Sequence, residues 1–98
     1  MTKPSEREPI RVEIYGKADC HLCEVARKKV LQFTDEFAIE IIDIDITSDP
    51  LLEKQYVERI PLIFVNGHLV AKYRIEEKTF RKALKKAERG KGLFKNLF

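Results

Sequence analysis

The sequence predicts an α/β sandwich built on a four-stranded mixed sheet with helices on both faces. Three observations predict it. A period of two at Ile10 to Tyr15 gives way to helical spacing from Leu22, and a second β-rich run follows in "IEIIDIDI". Asn66-Gly67 then joins two further β-rich runs ahead of an amphipathic stripe. With 98 residues, 44% of them hydrophobic and 36% charged, the chain has the size and composition of one globular domain.

The first strand sets Ile10, Val12 and Ile14 against Arg11, Glu13 and Tyr15, and Gly16 ends it. A helix follows with Leu22, Val25, Ala26, Val30 and Phe33 on its apolar side and Glu24, Arg27, Lys28, Lys29 and Gln32 on the other. In the second strand, within Ala38 to Thr47, Ile42, Ile44 and Ile46 face away from Asp43 and Asp45. Asp49-Pro50 opens a short helix reaching about Val57, because Asp accepts orphan amide hydrogens and Pro is preorganised for the first helical position. "PLIFVNGHLVAKY" is an antiparallel hairpin, since both residues of Asn66-Gly67 tolerate the positive φ of a type I′ turn. The last helix, Glu76 to Arg89, carries Phe80, Ala83, Leu84 and Ala87 on one stripe, and Gly90 and Gly92 are expected to break it.

These boundaries divide the chain into a flexible leader (1–9), a single domain (10–89) and a C-terminal tail (90–98), in which Phe94, Leu97 and Phe98 are expected to pack back onto the body. The excess of 19 basic over 16 acidic residues is only +3, which points to neither nucleic acid nor a membrane surface as a partner. Arg27 to Lys29 and Arg81, Lys82, Lys85, Lys86 and Arg89 read as solvated helix faces. Met1 to Pro9 is polar with two prolines, and no run approaches the ~20 apolar residues of a membrane span. A cytoplasmic monomer is expected.

The only cysteines, Cys20 and Cys23, stand three apart in "DCHLCE", and three readings of them are open: a redox pair, half of a metal site, or two packed thiols. A reducing compartment disfavours a structural disulfide. Zinc wants four ligands, and only His21 and His68 are available to complete the set. Redox chemistry needs an exposed thiolate to attack and a second thiol within reach to resolve. Cys20 at the start of a helix meets the first need, because orphan amides and the positive end of the helix dipole favour a thiolate. Cys23, one turn further in and flanked by Leu22 and Val25, is expected to be more buried and protonated. His21 is either a cation that tunes the thiolate or an exposed spacer, and Asp19 either caps the helix or opposes the thiolate by its charge. His68 reads as a solvated residue at the edge of the turn.

Over roughly residues 10 to 89 the sequence resembles the glutaredoxin and thioredoxin superfamily. The resemblance rests on a strand leading to C-x-x-C at a helix start, on "RIPLIFVNG", and on a closing helix. It implies a thioredoxin-like three-layer sandwich and a thiol–disulfide oxidoreductase acting through Cys20 with Cys23 resolving. It also implies a cis bond before Pro61, which would face the cysteines, and a backbone edge at Ile60 for an extended substrate. Lys17 stands where glutaredoxins often carry a lysine that meets a glutathione carboxylate.

Two departures are visible from glutaredoxins: "CHLC" replaces Cys-Pro-Tyr-Cys, and "YRIEE" (73–77) replaces a Gly-Gly-polar-Asp segment. The thioredoxin signature is absent too, with no Trp before the motif, no Pro within it, and Ile14 in place of a buried acid. The expected substrate is a protein or small-molecule disulfide, with no bound cofactor. Glutathione is a possible but weakly bound reductant, and a flavin-dependent reductase or another dithiol protein is the more favoured electron donor. The alternative is a binding module, or a metal-binding protein, that keeps the scaffold and holds a partner through its basic helices or hydrophobic tail.

Overall fold

Strand β1 (Ile10–Gly16) lies inside the sheet, because β2 (Ile39–Asp45) pairs with it in parallel on one side and β3 (Leu62–Val65) antiparallel on the other. Strand β4 (His68–Lys72) pairs with β3 and completes the order β2-β1-β3-β4. Helix α1 (His21–Gln32) connects β1 to β2, α2 (Pro50–Tyr56) connects β2 to β3, and α3 (Glu77–Leu97) follows β4. The computed structural model describes residues 8–97, with side chains through Gly90.

Alternation along β1 divides the sheet into two unequal faces. Ile10, Val12 and Ile14 are buried, and with Ile63 and Val65 they meet Ala26 and Val30 from α1, Phe33 just after it, and Phe80 and Leu84 from α3. On the opposite face Tyr15 meets Tyr56 of α2, with ring centroids 5.4 Å apart. That face is covered mainly at the C-terminal end of β1, since α2 has only 7 residues. Further along the strand Arg11 is exposed. The layers are therefore helix, sheet, helix, with the third layer short and set over the end of β1 that leads to the cysteines.

Local chemistry fixes the connections. Asn66 and Gly67 take φ of 47° and 86°, the left-handed values of a type I′ hairpin. Asn66 also anchors the turn to the neighbouring strand: its Oδ1 accepts from the Arg11 amide at 2.9 Å, and its own amide donates to the Arg11 carbonyl at 2.8 Å. The Asp49 carboxylate accepts from the Leu51 amide at 2.9 Å, and Pro50 occupies the first turn of α2.

Several boundaries differ from those read in the sequence. β1 continues through Gly16, and β2 stops at Asp45, so that Ile46 turns inward, fully buried, in a 3₁₀ turn over 46–48. Val25 is 46% exposed rather than part of the apolar stripe, and Cys23 takes the inward position on that turn of α1. Helix α3 does not break at Gly90 and Gly92 but runs to Leu97. Glycine costs only about 1 kcal/mol against alanine inside a helix and keeps its N–H, so it weakens a helix without ending it as proline would. The side chains of Phe94 and Leu97, and the whole of Phe98, lie outside the described residues. Among the described residues no helix is long and apolar enough to cross a membrane.

Phe80 is 1% exposed and meets Phe33 edge-on at 5.1 Å, joining α3 to α1 across the main core. Phe80→Ala should cost about 3 to 5 kcal/mol in denaturant unfolding, the range for emptying a buried aromatic site. A loss below ~1 kcal/mol would show that this contact does not hold the two helices together.

Candidate functional site

Gly16 ends β1, and Lys17, Ala18 and Asp19 lead to Cys20, whose extended backbone (φ −121°, ψ 106°) makes it the N-cap of α1. The Cys20 Sγ accepts a hydrogen bond from the Cys23 amide at 3.1 Å, and the Cys20 carbonyl accepts from the Glu24 amide at 3.1 Å. The cap is therefore the cysteine itself, not Asp19, which is exposed. One residue decides this: Asp19 precedes the half-helical position from which a side chain reaches back to the third amide. Cys20 and Cys23 are joined as a disulfide with Cα atoms 5.2 Å apart. Cys20 is half-buried, Cys23 is buried at 8% exposure, and His21 between them points to solvent.

The wall behind the disulfide is apolar. Cys23 packs with Ile46 and Ile60, and Tyr15, Cys20, Leu52 and Tyr56 close the cluster. Tyr15 also stacks at 5.2 Å on Phe64; burial pushes its phenol pKa up, with the charges of Glu13 and Tyr56 acting in the same direction. The Ile60–Pro61 peptide is cis, and Pro61 is fully buried. The Pro61 carbonyl accepts from the Tyr73 amide at 2.8 Å, while the Tyr73 hydroxyl donates to the Glu58 carbonyl at 3.0 Å. Tyr73 takes φ of 69°, so the first residue of "YRIEE" bends back over the loop before Pro61.

On its other side Cys23 lines a groove of about 330 Å³ between the start of α1 and the end of β2, together with Gly16, Lys17, Arg27, Asp43 and Asp45. Arg27 donates to both oxygens of Asp43 at 3.1 to 3.2 Å, which raises the guanidinium pKa further; both side chains are half-exposed. Hydrogen bonds from the hydroxyl and then the amide of Thr47 hold the Asp45 carboxyl below its ordinary value. Gly16 lies close against the cysteine pair, where a Cβ on it would be 2.9 Å from the Cys23 Sγ.

Residues 11–85, which hold the strand, both cysteines and Pro61, match a family model described as the glutaredoxin-like domain (DUF836). The chain belongs to the glutaredoxin-like family. Solved structures share its thioredoxin fold. A protein of Nitrosomonas europaea known from its solution structure superposes with a TM-score of 0.69 at 23% identity, covering 86% of this chain and 99% of that one. A mutant thioredoxin from Halobacterium salinarum gives 0.58 at 15% identity over 81% and 74%. The oxidised mitochondrial thioredoxin 3 from Saccharomyces cerevisiae gives 0.54 at 16% identity over 82% and 80%.

Of the residues singled out in the sequence, this glutaredoxin-like fold brings Cys20, Cys23 and Ile60 into one cluster, with Pro61 next in the chain, and sets Lys17 on the groove beside Cys23. His21 stays outside, and His68 begins β4 at the hairpin, the end of the sheet remote from the cysteines. Among the described residues no three His, Cys, Asp or Glu side chains gather as a metal site. Gly16, Tyr15 and the Arg27–Asp43 pair were not legible as parts of the site. The one available signal was Gly16, a glycine in an extended stretch that needs no positive φ.

The Asp45 carboxylate has a lowered pKa, so its interaction with Thr47 stabilises the fold above the unfolded-state pKa of Asp45 and is lost as pH falls through the folded one. In Thr47→Val the hydroxyl donor is gone. Carboxyl NMR titration should then place Asp45 closer to its ordinary value, and stability should become less sensitive to pH over the acid range. An unchanged Asp45 titration would rule out the hydroxyl as the cause.

Proposed function

We propose that this glutaredoxin-like protein is a thiol–disulfide oxidoreductase in which Cys20 attacks and Cys23 resolves. One observation carries the reading: the half-buried Sγ of Cys20 caps α1 and accepts the Cys23 amide, while its partner sulfur lies buried behind it. In the reduced protein the same amide, with the helix dipole, stabilises a Cys20 thiolate. That thiolate attacks one sulfur of a substrate disulfide, the substrate S–S bond breaks, and the other sulfur leaves as a thiolate that takes up a proton. Cys23 then loses its proton and attacks the Cys20 sulfur, releasing the second substrate thiol and forming the Cys20–Cys23 disulfide. The substrate gains two electrons and two protons. An external dithiol or reductase returns them to the protein.

Ile60, buried beside Cys23 and just before β3, is the position from which a backbone edge would meet an extended substrate. A protein or peptide disulfide lying along that edge would come to Cys20. Arg27, Lys29 and Arg81 are engaged with Asp43, Glu77 and Glu36, so these basic side chains already have partners within the fold. That pairing takes these three side chains out of a docking module built on the basic helices, while the cysteine pair supports the redox reading.

For the electron donor, Lys17 offers one cation beside Cys23, whereas the Tyr73 amide is already committed to the Pro61 carbonyl. Glutathione needs charge-assisted contacts at both of its ends. A dithiol protein or a flavin-dependent reductase therefore fits better than glutathione.

Disulfide reduction should disappear in Cys20→Ser, whereas Cys23→Ser should retain the attack and accumulate mixed disulfides detectable by mass. Equal residual turnover in the two variants would refute the assignment of roles. With glutathione and its reductase as donor, turnover should be slow. Efficient turnover that Lys17→Ala abolishes would instead establish a working glutathione site.

A further inference from the structure

Gly16 is a glycine that the backbone does not require. It ends β1 in regular pairing with Asp45, and among the described glycines only Gly67 has a positive φ. Space is what requires it. A Cβ there would lie 2.9 Å from the Cys23 Sγ and 3.2 Å from the Cys23 Cβ. Cys23 packs against Ile46 and Ile60, at 0% and 7% exposure, so a shift of the sulfur toward them meets buried side chains.

The two redox forms differ in their ability to yield. In the disulfide the Cys23 Sγ is tied to Cys20, and Cys20 is itself fixed as the cap of α1 by the Cys23 amide. That sulfur cannot swing away. A free Cys23 thiol can turn about its Cα–Cβ bond to another staggered position, which leaves only the milder contact with its Cβ. A side chain at position 16 would therefore penalise the oxidised form more than the reduced one.

We propose that Gly16 is a positioning residue that sets the redox balance of the Cys20–Cys23 pair, its missing side chain favouring the disulfide over the dithiol. The proposal rests on the reading of these cysteines as a reversible redox pair, and its test uses no substrate, so turnover and redox balance are judged separately.

The test equilibrates wild type and Gly16→Ala with dithiothreitol. The protein S–S bond breaks, dithiothreitol closes to its cyclic disulfide, and two electrons and two protons pass to Cys20 and Cys23. Gly16→Ala should shift this equilibrium toward the protein dithiol by about tenfold, a rise in potential of ~30 mV. Gly67→Ala, strained by φ of 86° but remote from the cysteines, should destabilise both redox forms alike and leave the equilibrium where it is. In a Cys23→Ala background the added methyl meets no sulfur, so Gly16→Ala should be tolerated there even if it prevents the oxidised protein from folding. A shift below about threefold, or a Gly16→Ala penalty as large in the Cys23→Ala background as in the oxidised wild type, overturns the proposal.

Discussion

The N–H of Cys23, donated to the sulfur of Cys20 at 3.1 Å, is the contact on which the site depends. The first turn of any helix leaves amides without partners, and they are usually satisfied by the oxygen of Ser, Thr, Asp or Asn. Here a sulfur fills the role, so the requirement that closes the helix also holds the Cys20 sulfur, the proposed nucleophile, at the positive end of its dipole. That field is worth up to ~2 kcal/mol for a charge in a partly buried position. At 1.4 kcal/mol per factor of ten, a field at that upper limit enriches thiolate over thiol by more than tenfold. Structure and reactivity share one hydrogen bond.

The rest of the fold is arranged to deliver that contact. β1 runs between two partner strands, which fixes where its last residue points, and only four residues separate it from α1. The main core lies on the face shared with α1 and α3, where Val12, Val30, Ile63 and Leu84 are fully buried and hold α1 against the sheet. The shorter α2 layer closes over Tyr15 and contributes Leu52 and Tyr56 to the wall behind the disulfide. This asymmetry leaves Cys20 partly open to solvent while Cys23 is enclosed. The two sulfurs thus differ in environment although only two residues separate them.

What the sequence disclosed depended on how local the determining physics is. The hairpin was legible because Asn66 and Gly67 meet a backbone requirement within their own two residues, and the start of α2 because Asp49 caps an amide two positions on. The sheet and its helices followed from periodicity. The cap of α1 was not settled, because Asp19 and Cys20 both stand before the helix and the residue at which the helix begins decides which one reaches the amide. Val25 was misplaced for a related reason: its spacing suits an apolar stripe, but the rotation of α1 on the sheet gives that position to Cys23. The two glycines near the chain end looked like a stop and are helix interior instead. Gly16 needed a tertiary contact to be understood, and the Arg27–Asp43 pair joins residues 16 apart in sequence.

Position at the start of α1 makes the two sulfurs unequal in environment, one capping the helix and half-buried, the other buried a turn further in. The most direct measurement is alkylation of the fully reduced protein across a pH series, with each cysteine followed separately by peptide mass analysis. The account predicts that Cys20 is modified first, with a midpoint below the ~8.5 of an ordinary thiol, and that Cys23 stays largely unmodified while the protein is folded. Two thiols reacting at similar rates with ordinary midpoints, or Cys23 reacting ahead of Cys20, would contradict it.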